Sequence, residues 1–508
     1  MFHIRRAPFY TVNIGRMNIK TVKAANDYIA HNTGSVNTRY MPRYHACVPI
    51  GWGNDPNGLI FYKDRIHMFC RYNPYNPWWD SMHWGHFVSS DFVRWQFLPV
   101  ALAPDSEYDC GGCFSGTAAE KDGRLYLIYT GVKDYQQQCV AFSDDGITFA
   151  KSRSNPVINY RQVPDGYSIY DFRDPKVFRR KKNGYFCIAG TEESGRGNIL
   201  LYRSDDMLSW KYVGKLFGRD GSADNSLEVN GVCECPDYTT VDGKELLLFS
   251  AMNFPERDGK YQNLHSVLYL KGNLDIADGK FVCESYDEID AGFDFYAAQT
   301  MHMPDGRTIL IAWKHMWDRT VVTDGDGWAG TYTLPRELYL KNGRLLQKPV
   351  REIEVYRNNP VEYSDIPLNR ENRKFDGVNG NVVEIEAVFL IGTAERAGLR
   401  FFAGKGGQTS LYYDAHPSRV VFDRTFSGME QKGKEANASV RSCAAKPDEG
   451  KISFRLFLDV SCAEVFINGG RSVMTANVYA DPRYDTGIEF FAEGGTASLS
   501  VKKYDIIV

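Results

Sequence analysis

The sequence predicts an all-β protein: a five-bladed β-propeller followed by a C-terminal β-sandwich, with a short N-terminal helix. Three observations carry this. Across 508 residues, 43% hydrophobic and 14% aromatic, short alternating apolar runs dominate and long helical periodicity is scarce. An Asp- or Asn-centred hairpin turn returns about every 60 residues, which is the length of one four-stranded propeller blade. After Pro349 that period stops, and a polar Pro- and Asn-rich stretch gives way to alternating strands of a different spacing.

Taken in order, residues 1–40 form an N-terminal extension and helix. In "MNIKTVKAANDYIAHNTG" apolar or small residues fall at helical spacing and the pattern stops at Asn32-Thr33-Gly34. Residues 41–348 form the propeller. Its hairpins are "FYKDRIHMF", "EKDGRLYLIYTG", "RKKNGYFCIAGT", "TVDGKELLLFSA" and "MPDGRTILIAWK", with turns at Asp64, Asp122, Asn183, Asp242 and Asp305. Between them lie "SSDFVRWQFLP", "SDDGITFAKS" and "SDDMLSWKYVG", each an acidic turn followed by an aromatic that opens another strand. A pair of β-sandwiches, the competing architecture, does not explain a constant period. Residues 349–365 read as a linker with a short helix at its start, and residues 366–508 as an antiparallel β-sandwich.

Composition excludes several function classes. A formal charge of −3 with no basic stripe argues against nucleic acid and against an anionic membrane as partner. No run of about 18 apolar residues is present to span a bilayer. The stretch after Arg5-Arg6 is short, interrupted by Asn13 and Gly15, and lacks a small-residue cleavage site, so it does not read as a secretory signal. Eleven scattered cysteines, odd in number and often inside apolar strands, fit reduced thiols in a cytoplasmic protein. Cys110-Gly-Gly-Cys113 has metal-like spacing but no second pair or nearby His, and reads as a turn. No metal and no organic cofactor are expected, and a homo-oligomer is left open.

Candidate chemistry comes from comparing equivalent places in the repeats. Asp55, in "GWGNDPNGLIF", taken alone is turn chemistry, since Asn, Pro and Gly flank it. But Asp55 lies about nine residues before the turn at Asp64, Asp174 about nine before Asn183, and Glu234 about eight before Asp242, so all three fall near the start of a channel-lining strand. At the same offset the second blade supplies Phe114 and Ser115, and the fifth supplies Asp294, Phe295 and Tyr296. Carboxylates held together demand a cation or a function. A calcium or magnesium site would want six or more oxygens, and Arg173 beside Asp174 argues against it. Glycoside chemistry needs one carboxylate as nucleophile and another as proton donor. Trp52, Trp78, Trp79, Trp84 and Phe114, placed near the same rim, suit the C–H faces of a sugar.

"WGNDPNG", "FSGT", "FRDP", "ECPD", "DFYAAQ" and "GWAGTYTLPREL", in this order, resemble the motif series of glycoside hydrolase family 32, the invertases, inulinases, levanases and sucrose-6-phosphate hydrolases. "FLDVSCAEVFINGG" is similar to that family's C-terminal sandwich motif, so the likeness runs from about Tyr44 to the end of the chain. The resemblance implies a five-bladed propeller plus sandwich and fructosyl substrates. It implies Asp55 as nucleophile in a retaining mechanism, Glu234 as acid/base, and Asp174 as the carboxylate that binds fructose hydroxyls. Asn54, Trp79, Phe114, Ser115 and Arg173 match substrate-contacting positions. On this view Glu234 must hold a proton near neutrality, which the field of two neighbouring carboxylates promotes.

The chain departs from the family at Gly53, Thr117 and, above all, Arg71. In "FCRYNP" Arg71 stands where the family has a glutamine at the fructosyl site, a fixed cation in place of a neutral amide. Either it pairs with a nearby carboxylate or it meets an anionic part of the substrate. The expected activity is hydrolysis of terminal β-fructosyl residues of sucrose, its 6-phosphate or short fructo-oligosaccharides. The alternatives are a fructosyltransferase on the same scaffold and a non-catalytic fructan-binding protein.

Overall fold

A computed structural model describes residues 20–180, 184–218, 227–435 and 437–508. Five antiparallel sheets follow one another through the first part of the chain. Their innermost strands are Gly51–Tyr62, Gly112–Lys121, Arg173–Arg180, Cys233–Val241 and Tyr296–His302. Each inner strand packs against the next, and the fifth packs back on the first, so the sheets close around one axis as propeller blades. Trp328–Ala329, a two-residue strand, pairs in parallel with Gly51 and Trp52 and so ties the last part of the ring to the first sheet.

The turns form for the reasons the sequence gives. Asp64, Asp122 and Asp242 have φ of +59°, +53° and +48°, a region that Asp tolerates better than most residues. Asn183 lies outside the described residues. In the acidic turns one carboxylate oxygen of Asp91, Asp145 or Asp206 accepts backbone N–H groups two and three residues on, all between 2.8 and 3.0 Å. A serine two residues upstream donates to each of these aspartates. The helix spans Val22–Asn32, with the Thr21 hydroxyl accepting from Ala24 N–H at 3.2 Å. It is fastened to the first sheet by buried Ala25 and by Asn26, which accepts from Val100 N–H at 2.9 Å.

Two six-stranded sheets packed face to face form the C-terminal sandwich, whose core includes Phe389, Phe401, Phe454 and Phe490. The span read as a linker is mostly something else. A 3-10 turn occupies Arg351–Tyr356, and Arg357–Asn369 is a thirteen-residue edge strand paired with Thr496–Ile506. Its prolines, Pro360 and Pro367, gave it a loop-like sequence, yet an edge strand accommodates a missing N–H, and the register shifts between Asn358 and Val361 and between Tyr363 and Ile366.

Propeller and sandwich meet over a buried ionic seam. Asp459 accepts the backbone N–H groups of Arg43, Tyr44 and His45 at 2.7, 3.0 and 3.1 Å. His45 lies between Asp459 (Nδ1, 2.8 Å) and Glu464 (Nε2, 3.0 Å). Both carboxylates can only accept, so both ring nitrogens donate and the imidazole is a cation. Burial by itself would lower its pKa, but the adjacent Cys462 sulfur and the hydrogen bond to Asp459 raise it to about 10. Arg336 joins Glu464 (2.6 Å) to Asp290 (2.9 Å), and Asp294 joins Arg319 (2.6 Å) to Arg424 of the sandwich (2.7 Å). All eleven cysteines are free thiols.

Candidate active site

The same irregularity recurs in all five inner strands and builds the site. Each loses register with its neighbour near its start: between Gly53 and Pro56, around Ser115, between Arg173 and Lys176, between Glu234 and Asp237, and between Tyr296 and Gln299. A bulge frees one or two residues from the ladder and turns their side chains away from the sheet. In the last three strands the bulge places Asp174, Cys235 and Ala297 at φ of +61°, +46° and +54°. Five repeats of one bulge direct residues from five sheets into a single funnel.

Asp55 is 3% exposed. Its Oδ1 accepts from Asn54 Nδ2 at 2.9 Å, and its Oδ2 accepts from Ser115 Oγ at 2.8 Å and from Arg71 Nη1 at 3.1 Å. Asn54 is in turn held by the Trp52 indole N–H at 3.0 Å. Of the two roles open to Arg71, the geometry adopts the ion pair. Its guanidinium lies 4.1 Å from the Phe114 ring centroid and 5.8 Å from that of Trp79, and its Nε is buried without a hydrogen-bond partner.

Arg173 connects the other two carboxylates. It donates to Glu234 Oε1 from Nε (3.2 Å) and Nη2 (2.9 Å), to Asp171 at 2.7 Å, and lies 3.9 Å from Asp174. Tyr296 donates its hydroxyl to Glu234 Oε2 at 2.6 Å. Asp174 accepts from Cys235 N–H at 2.9 Å through Oδ2, whereas its Oδ1 is buried and has no partner.

The electrostatics correct one expectation. Burial pushes Glu234 toward protonation, but the Arg173 cation and the Tyr296 hydrogen bond outweigh it and hold this carboxyl below its ordinary range. The carboxyl that rises, to about 6, is Asp174, because burial and the charges of Glu234 and Asp55 exceed the opposing pull of Arg173. The sequence shows the neighbouring carboxylates but not that Arg173 reaches Glu234.

Trp79 and Phe114 meet edge to face at 5.8 Å on one wall, and Trp78 is exposed beside them. Trp84 is not at the rim: it is fully buried, with its indole N–H on Phe114 O at 3.0 Å. Trp52 packs against Trp313 and Trp317, in a cluster that Phe114 also joins. Tyr296, which its offset puts at the mouth, contacts Glu234. His265, whose ring centroid is 5.6 Å from that of Tyr296, carried no repeat or motif by which the sequence could have revealed it. Among the described residues no three His, Cys, Asp or Glu side chains are arranged to hold a metal ion.

Residues 45–349 match the glycosyl hydrolases family 32 N-terminal domain, and residues 352–507 match that family's C-terminal domain. The chain belongs to glycosyl hydrolases family 32. Family 32 relatives cover nearly its whole length. A sucrose-6-phosphate hydrolase of Zymomonas mobilis is 36% identical over 499 residues, 93% of each chain. A raffinose invertase of Escherichia coli is 34% identical over 476 residues, 91% of this chain and 94% of the relative. Among solved family 32 structures, a β-fructofuranosidase of Bombyx mori superposes with a TM-score of 0.81 at 32% identity, covering 96% of this chain and 99% of its own. The sucrose-6-phosphate hydrolase of Lactobacillus gasseri gives 0.83 at 26%, over 96% of this chain and 99% of its own.

Proposed function

We propose that this family 32 glycoside hydrolase is a retaining β-fructofuranosidase acting on small fructosides, sucrose and sucrose-6-phosphate first among them. The observation that carries the reading is the convergence of Asp55, Asp174 and Glu234 from three sheets, each with a different set of partners. Asp55, with three donors on its two oxygens, is the nucleophile. It attacks C2 of the fructosyl group while the C2–O bond to the leaving sugar breaks and Glu234 passes a proton to that oxygen. Glu234, then a carboxylate, takes a proton from water, whose oxygen attacks C2 and frees Asp55. Two displacements at one carbon return the starting configuration.

Asp174 receives fructose hydroxyls on its unpaired Oδ1, and Asn54 and Ser115 hold Asp55 in line. Trp79 and Phe114 stack on the sugar. Arg173 contacts the substrate as it releases Glu234 to take up its proton, because the ion pair of the free site favours the anion. In this reading residues 41–348 are the catalytic domain and residues 366–508 brace it. The free thiols support a cytoplasmic location, and among the described residues no helix is long and apolar enough to cross a membrane.

The test is to incubate the protein with sucrose, sucrose-6-phosphate, kestose and inulin and to quantify fructose, the leaving sugar and transfer products, with the anomer of nascent fructose read by NMR. Release of β-fructofuranose is expected. Absence of fructose release from every substrate refutes the reading, and transfer products in excess over free fructose would make it a transferase.

A further inference from the structure

Both guanidinium groups in the funnel are already committed, Arg71 to Asp55 and Arg173 to Glu234 and Asp171. The funnel floor therefore carries more carboxylates than cations, and its net negative charge disfavours a phosphate there. A cation stands instead on a loop of the sandwich that reaches the rim of the propeller. Thr320 and Lys432 exchange two hydrogen bonds, Thr320 N–H to Lys432 O at 2.8 Å and Lys432 N–H to Thr320 Oγ1 at 3.1 Å. Arg319 pairs with Glu435, and Lys434 Nζ lies 2.8 Å from Asp318.

That rim segment is part of the site wall. Trp317, next to Asp318, stacks on Trp52 at 6.3 Å, and Trp52 holds Asn54 against Asp55. Trp317 and Leu264 pack on the same apolar cluster as Tyr296. His265, beside Leu264, has its ring 5.6 Å from that of Tyr296, the donor to Glu234. The Asp318–Lys434 pair thus stands at the rim, next in the chain to Trp317, which packs on Trp52.

From this placement we propose that Lys434, supplied by the sandwich, binds the phosphate of a phosphorylated aldose in the leaving-group half of the site. Asp318 is its counterion when that half holds a neutral sugar. The two side chains are 66% and 47% exposed, so their mutual attraction is screened and weak enough to yield to a dianion. The inference rests on the fructosidase reading above and adds which face of the site distinguishes phosphorylated from neutral substrates.

The two partners predict opposite effects. The quantity to measure is the ratio of kcat/KM for sucrose-6-phosphate to that for sucrose. In the wild type it should exceed one by about ten- to a hundredfold, the range for a charge-assisted contact. Lys434→Met should lower the ratio by about tenfold, and Asp318→Asn, which removes a carboxylate competing for Lys434, should raise it. A merely structural pair would move both variants in the same direction on both substrates and leave the ratio where it was, which overturns the proposal. A wild-type ratio near one with brisk turnover also overturns it while the fructosidase reading stands. No turnover of either sugar defeats both.

Discussion

Arg173 places two N–H groups on a single oxygen of Glu234, at 2.9 and 3.2 Å, while Tyr296 donates to the other oxygen at 2.6 Å. Every near partner of this carboxyl is a donor, so the free site stabilises its anion. Delivering a proton to a leaving group requires that arrangement to loosen, and the pH dependence of catalysis should record it. Because kcat/KM reports the free enzyme, its basic limb should lie at lower pH than the basic limb of kcat. Arg173→Gln should move the kcat/KM limb to higher pH, whatever it does to the maximum rate. A limb that stays in place would show that Glu234 is not the group being titrated.

Asp174 presents the opposite balance. Its carboxyl rises to about 6 from an ordinary 3.8, with burial as the leading cause. The native state therefore holds this proton more tightly than the unfolded chain. The sign follows: stability associated with Asp174 is full below about pH 4 and is lost as pH rises through about 6. Asp174→Asn should raise stability at pH 7.5 by about 3 kcal/mol, with the gain shrinking toward pH 4, even as activity collapses. Asn also tolerates the +61° φ of this position. Thermal melts at the two pH values decide it, and a lower Tm for the variant at pH 7.5 would contradict the argument.

Asp55→Asn should lower kcat by about three orders of magnitude or more. It should also leave Arg71, 5% exposed, as a buried cation with no counterion. Removing one partner of such a pair typically costs about 3 kcal/mol or more. The double variant Asp55→Asn/Arg71→Gln should recover most of that stability and none of the activity. Denaturant midpoints for the single and double variants test the pair, and equal midpoints would show that Arg71 finds another anion.

Much of this site was legible in the sequence because it is periodic. Asp55, Asp174 and Glu234 could be aligned by counting back from Asp64, Asn183 and Asp242, and the structure supplies the physical reason, one bulge repeated in every inner strand. What could not be read was whatever depends on contacts between non-equivalent places. The hold of Arg173 on Glu234 crosses from the third sheet to the fourth, and nothing in "FRDP" or "ECPD" states which carboxylate the arginine chooses. Trp84 is not at the rim because an aromatic near a rim in sequence can point into a blade, and the part of the edge strand before Ile366 reads as a linker because an edge strand has the polarity of a loop.

His45 gives a prediction about stability away from the funnel. Its pKa, raised to about 10 between Asp459 and Glu464, exceeds the ordinary 6.5 of the unfolded chain. Its contribution is therefore complete below about pH 6.5 and fades as pH climbs toward 10. Wild-type Tm should fall between pH 7 and 9.5, and His45→Gln, less stable at pH 6.5, should show a flatter profile. Parallel profiles for the two proteins would remove His45 from the seam's energetics.

The short strand Trp328–Ala329 beside Gly51 and Trp52 has a consequence for how the chain is made. A ribosome emits the segment bearing Asp55 long before the residues that complete its sheet, and Asp459, which grips the backbone of residues 43–45, comes later still. The strand that carries Asp55 must therefore wait, partly unpaired, through most of translation. Closing contacts of such long sequence separation are slow to find, so the nascent protein passes through a period in which that strand edge is exposed to pairing with other chains.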